Sequence, residues 1–173
     1  EKLLLGNRGG YCFEQNGLLA CALTALGFTF TGLAARVLWN QPEHLVTARS
    51  HHVLLIDLPE GKYIADVGFG GMTPTAPLRL VANEVQATPH GAMRLMQRGA
   101  DYFLQAQVPD AANETAWRTL YRFDLQPQHP IDYVVGNHYV LTFADSIFRH
   151  SLKAARPVAD GRLALANNRF TEY

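Results

Sequence analysis

Cys12 is the residue whose setting most favours chemistry in this chain. It follows Gly9 and Gly10, which set a tight turn, and it precedes a helix-like run from Gly17 to Leu26. A thiol in the first turn of a helix meets unpaired backbone N–H groups and the positive end of the helix dipole, and both favour negative charge. The thiolate is the nucleophilic form of cysteine. An isolated cysteine is more often a small buried core residue. The two glycines and the polar neighbours Arg8, Glu14 and Asn16 weigh against that reading here.

A thiol nucleophile needs a base to take its proton and a third group to orient the base. Of the seven histidines, His44, His90, His129 and His150 fall in expected loops or strand ends, and His138 in a segment of undecided structure. His51 and His52 open a strand that returns, after a tight turn, to Asp66. An aspartate inside the apolar run from Tyr63 to Phe69 is costly to bury unless it is paired. A buried carboxylate beside an imidazole fixes its tautomer and stabilises the imidazolium. With a turn over 59–61, Asp66 is expected opposite Leu54 or Leu55, which leaves His51 offset along the strand. Twist or a β-bulge then has to close the gap. The competing role for Asp66 is to cap the Gly68-Phe69-Gly70 turn. Spacing does not choose between the two histidines, and it leaves acyl transfer and hydrolysis level, with a non-catalytic thiol sensor as a third class.

The elements that must hold these residues read as follows. Leu18, Leu19, Ala22, Leu23 and Leu26 recur at helical spacing, with Gly27 as the stop and Cys21 expected in the core. Strands are expected over Phe28–Thr31 and Ala34–Trp39, over His51–Leu58 and Lys62–Val67, and over Met93–Gln97 and Tyr102–Val108. Trp117–Asp124 is a further strand, and Ser151–Val158 with Arg162–Ala166 forms a last hairpin across Asp160-Gly161. Gly68-Phe69-Gly70-Gly71 and the Pro/Thr stretch after it are loop, and Pro130–Phe143 is helix or strand. A helix followed by many antiparallel strands makes the fold α+β, with a barrel-like sheet.

Composition excludes several functions. Of 173 residues 48% are hydrophobic and 17% charged, which supports a sizeable core and argues against disorder. Fifteen basic and fifteen acidic residues cancel, so the chain has no electrostatic footprint for nucleic acid or an anionic membrane. Apolar runs fall far short of the ~20 residues that span a bilayer. Two cysteines and no signal peptide point to the cytoplasm rather than to a disulfide framework. No metal is expected, because His51 and His52 point to opposite faces of a strand and neither cysteine has ligand spacing. The Asn113-Glu114-Thr115 sequon reads as chance. Glu1–Leu5 reads as the tail of a helix and the chain as an internal piece of a longer protein.

The segment Arg8-Gly9-Gly10-Tyr11-Cys12-Phe13-Glu14-Gln15-Asn16 resembles the active-site segment of the arylamine N-acetyltransferases. Arg49-Ser50-His51-His52-Val53-Leu54-Leu55 resembles their histidine segment, and Ile64-Ala65-Asp66-Val67-Gly68-Phe69-Gly70-Gly71 their aspartate segment. The gaps of 39 from Cys12 to His51 and 15 from His51 to Asp66 agree with that family. The resemblance implies a papain-like arrangement: residues 1–27 end a helical domain carrying Cys12, 28–150 form an antiparallel β-barrel carrying His51 and Asp66, and 151–173 begin an α/β lid. It selects His51 over His52. It implies acetyl-CoA as cosubstrate, a Cys12 thioester, release of coenzyme A, and an arylamine, arylhydrazine or hydrazide acceptor in xenobiotic metabolism. Ser50, Gly68, Phe69 and Gly70 match positions lining the coenzyme and acceptor cleft. An amide synthase with another acyl donor and a cysteine hydrolase are the alternatives on the same triad.

Overall fold

The structure is a computed structural model and describes residues 2–109 and 114–173. Helix α1 (Cys12–Ala25) starts at the thiol-bearing residue itself. The Glu14 carboxylate accepts a hydrogen bond from the Tyr11 N–H at 3.2 Å and pairs with Lys2 at 2.5 Å, so a negative group sits at the positive end of the helix. Gly27 ends the helix with a φ of 79°, where a residue without Cβ is favoured. Of the expected apolar stripe, Leu23 is buried and Leu19 packs beside it on Leu54, Ile56 and Ala65, while Ala22 and Leu26 are exposed. Cys21 is exposed rather than in the core. It lies two residues from both Leu19 and Leu23, and at about 100° per residue that is the far side of the helix. Residues 2–5 form turns rather than the end of a helix, and Glu1 and Asn113 lie outside the described residues.

Eight strands form one antiparallel sheet: β1 (Thr29–Val37), β2 (Arg49–Leu58), β3 (Gly61–Ala65), β4 (Leu78–Arg79), β5 (Val85–Thr88), β6 (Gly91–Arg98), β7 (Asp101–Pro109) and β8 (Thr115–Phe123). Their order is β4-β3-β2-β1-β8-β7-β6-β5. The two edges are the short strands β4 and β5, and Gln86 on β5 joins them. Its carboxamide accepts from the Arg79 N–H at 2.7 Å and donates to the Arg79 carbonyl at 2.9 Å. One side chain thus replaces a ladder rung, and the sheet curls into a nearly closed barrel with its edges covered. Leu33, Val53, Ile64, Leu95, Leu104 and Leu120 fill the interior. The continuous apolar run of β2 follows from burial on both faces: Val53 and Leu55 face the barrel core, and Leu54 and Ile56 face α1.

The undecided segment is helix α2 (Pro130–Thr142), with Pro130 at its first position and Asp132 accepting from the His129 N–H at 2.7 Å. It packs on β2, where Tyr133 stacks on His52 with ring centroids 3.9 Å apart. A short helix α3 (Ile147–His150) precedes a separate three-stranded sheet of β9 (Lys153–Val158), β10 (Gly161–Ala166) and β11 (Arg169–Glu172). The hairpin β9–β10 matches expectation, while β11, β4 and β5 were too short or too polar to stand out as strands.

Candidate active site

The β2–β3 turn has two residues, Pro59 and Glu60, because Leu58 pairs with Gly61. Ala65 therefore pairs with Leu54, which shifts Asp66 by one residue from the expected partner Leu54 and by two from Leu55. Continuing that register puts Asp66 opposite Val53, which shares a face with His51, whereas a partner at Leu54 would have put it on the other face. The β1–β2 ladder also slips beside the histidine: Ala35 pairs with His51 but Arg36 with Arg49, so Ser50 is the extra residue of a β-bulge. The Cys12 thiol meets the Ser50 carbonyl at 3.7 Å. Register and bulge together bring the three side chains to one place.

His51 Nε2 lies 2.7 Å from Asp66 Oδ2, and both side chains are almost fully buried. The other Asp66 oxygen accepts from Asn16 Nδ2 at 2.8 Å and from the Gly68 N–H at 2.9 Å. Burial opposes ionisation of Asp66, but the His51 charge and these hydrogen bonds outweigh it and hold the carboxyl below its ordinary range. Burial likewise opposes the imidazolium. The Asp66 charge and hydrogen bond, with a further hydrogen bond to Cys12, outweigh it and raise His51 well above 6.5. His52, by contrast, loses charge to burial and to the neighbouring His51, and falls to about 4. The two adjacent histidines are thus separated by environment into a charged ring facing Cys12 and a neutral ring stacked under α2.

Asn16 is fully buried one helical turn after Cys12. Its amide also donates to the His52 carbonyl at 2.7 Å and accepts from the Val67 N–H at 2.8 Å. It therefore ties α1, β2 and the loop after β3 into one unit. Its signal in the sequence was a poor helix former at i+4 from the cysteine. Tyr121 carried no comparable signal. Its ring lies 4.9 Å from that of His51, and its hydroxyl sits near Asp66 short of a well-formed hydrogen bond, with ionisation suppressed by burial and by the carboxylate. Phe69 meets His51 edge to face at 5.3 Å and 84°. Gly68 packs so close to α1 that a Cβ there would lie 2.6 Å from the Cys12 Cα.

Ser50, Gly68, Phe69 and Gly70 line a long cleft that reaches the triad on one side and β9–β10 on the other. Cys12 is the first helical residue, so its N–H is among the donors that the helix leaves unpaired and is suited to an oxyanion. Among the described residues no group of three His, Cys, Asp or Glu side chains is placed to hold a metal ion, and no helix is long and apolar enough to cross a membrane. A thiol, a charged imidazole and a buried carboxylate at the wall of a cleft are equipped for covalent acyl chemistry.

The N-acetyltransferase family model matches residues 1–173. The arylamine N-acetyltransferase of Escherichia coli is 48% identical over all of this chain, and a Salmonella typhimurium relative described as an arylamine N-acetyltransferase / N-hydroxyarylamine O-acetyltransferase is 46% identical. The solved structure of the Salmonella typhimurium arylamine N-acetyltransferase superposes with a TM-score of 0.91 at 45% identity, covering 100% of this chain and 61% of that one. That of Mycobacterium marinum arylamine N-acetyltransferase in complex with CoA gives 0.92 at 40% identity, covering 99% and 62%. The chain spans 60% of the length of the Escherichia coli and Salmonella typhimurium relatives. It belongs to the arylamine N-acetyltransferase family.

Proposed function

We propose that the protein moves an acetyl group from acetyl-CoA to an arylamine, arylhydrazine or hydrazide through a thioester on Cys12. In the first half, Cys12 Sγ attacks the donor carbonyl while its proton rests on His51. The oxyanion forms within reach of the Cys12 N–H. The carbon–sulfur bond to coenzyme A breaks, and the departing thiolate takes the proton from His51. In the second half, the acceptor nitrogen attacks the acetyl-cysteine, gives its proton to His51, and Cys12 leaves as thiolate. Asp66 holds the ring in one tautomer and stabilises its charge. Ser50, Gly68, Phe69 and Gly70 form the wall against which donor and acceptor lie. The cytoplasm is the expected setting, and residues 1–27, 28–150 and 151–173 are read as nucleophile helix, barrel domain and start of a lid.

The observation that carries this reading is the 2.7 Å His51–Asp66 pair beside a helix-initial cysteine, in a chain whose relatives are named for this transfer. Steady-state kinetics of the intact protein with varied acetyl-CoA and aromatic amine test it. Parallel double-reciprocal lines are expected for a two-step route. Intersecting lines contradict the thioester, and acetyl-CoA turnover indifferent to the amine points to a hydrolase.

A further inference from the structure

We propose that Arg162 is a positioning residue for the cleft, a latch from β10 onto the loop that carries Gly68 and Phe69. Its side chain is buried, and its guanidinium is spent on backbone carbonyls of the barrel. Nη1 donates to Gly71 at 3.1 Å and Thr73 at 2.9 Å, and Nη2 reaches the His90 carbonyl at 3.4 Å. Among the described residues no carboxylate pairs with it. Burying a cation is costly unless its donors are well placed, and here the guanidinium donates to three backbone carbonyls. Its own backbone is pinned by paired hydrogen bonds with Tyr173, at 3.0 and 2.9 Å. A second bond crosses the same seam, from His90 Nε2 to the Val158 carbonyl at 2.6 Å.

The two ends of the loop are held by different partners. Its first residues are committed to the triad: Gly68 N–H bonds Asp66, and Phe69 abuts His51. Its last residues are held by Arg162. Between them the Gly70 N–H donates to Thr73 Oγ1 at 2.8 Å and the Thr73 N–H to the Gly70 carbonyl at 3.0 Å, which closes a compact turn. Asn16 holds the triad end independently of the latch. Loss of Arg162 therefore leaves the triad assembled and loosens the cleft wall.

The functional half of this proposal rests on the transfer reading above, and the test separates the two. In the intact protein, Arg162→Ala removes both charge-assisted hydrogen bonds to Gly71 and Thr73 and is expected to raise amide hydrogen exchange at residues 70–73 by about tenfold or more, with barrel protection unchanged. KM for acetyl-CoA rises by about tenfold while kcat and the alkylation rate of Cys12 change by less than about threefold. Arg162→Lys, which keeps a cation able to donate to carbonyls, gives intermediate values of exchange and KM, and carries the test if the alanine variant does not fold. Unchanged exchange at 70–73 in either folded variant overturns the latch. Faster exchange with unchanged KM overturns its role in positioning. If the wild-type protein transfers no acetyl group, the transfer reading falls, while faster exchange at 70–73 still upholds the latch.

Discussion

Replacing Gly68 by alanine adds a single carbon at the closest approach between the aspartate loop and the nucleophile helix. That carbon would sit 2.6 Å from the Cys12 Cα, 3.3 Å from its Cβ and 3.1 Å from Asn16 Nδ2. Carbon atoms in good contact lie about 3.5–4.0 Å apart, so loop and helix must separate by about 1 Å. The atom in the way is backbone, and no rotamer relieves it. The loop side cannot yield alone, because the Gly68 N–H is bonded to the carboxylate that holds His51. Overpacking of this kind costs about 1–3 kcal/mol. A misplacement of about 1 Å between nucleophile and base costs about 100-fold in rate. Gly71→Ala in the same loop is the control, since a Cβ there meets nothing within 4 Å. The assay is acetyl transfer to an aromatic amine, with urea unfolding and Cys12 alkylation on the same samples. Near-normal activity, within about threefold of wild type in a folded Gly68→Ala protein, would refute the close approach described.

Asp66→Asn should slow transfer by about 10⁴-fold with the fold intact, because an amide stabilises the wrong tautomer and no charge supports the imidazolium; retained rate would make Asp66 structural only. Cys12 alkylation near neutral pH should slow in the same variant, and an unchanged rate would break the link from carboxylate to thiol. Asn16→Ala should cost about 2–4 kcal/mol in urea unfolding, since it strips a fully buried amide from Asp66, Val67 and His52 together; a loss below about 1 kcal/mol would contradict its bridging role. His52, depressed to about 4 by burial and the His51 charge, stays neutral when folded and charges near 6.5 when unfolded. The unfolded state then binds more protons between those values, so acidification from pH 6.5 to 4 removes stability, by about 3 kcal/mol. His52→Phe, which keeps the stack on Tyr133, should flatten that limb of the urea midpoint against pH. The contribution of His51 has the opposite sign, being present below 6.5 and lost as pH rises through its raised value, so it does not mask the effect.

What the sequence made legible was chemistry with local context. Cys12 was readable because glycines and a helix start flank it, and Asp66 because a carboxylate in an apolar run demands a partner. The barrel followed from turn signals and strand periodicity. The contact between His51 and Asp66 was not readable, since it depends on whether a turn has two residues or three and on an extra residue at Ser50. A one-residue change in register moves a side chain to the other face, and neither choice alters the hydrophobic pattern of a strand buried on both sides. Cys21 was misplaced for a related reason. An apolar segment does not say which of its small residues faces the barrel, and Leu19 and Leu23 took that face. Asn16 stood in plain view, but its three partners come from β2 and the loop after β3, which only the fold assembles.

The most direct test of the central claim is the mass of the intact protein after incubation with acetyl-CoA and no amine. A gain of one acetyl group is expected, mapped to the peptide containing Cys12, discharged by an aromatic amine and missing in Cys12→Ser. An adduct that persists in Cys12→Ser, or no adduct on a protein whose Cys12 alkylates rapidly, would contradict the thioester route.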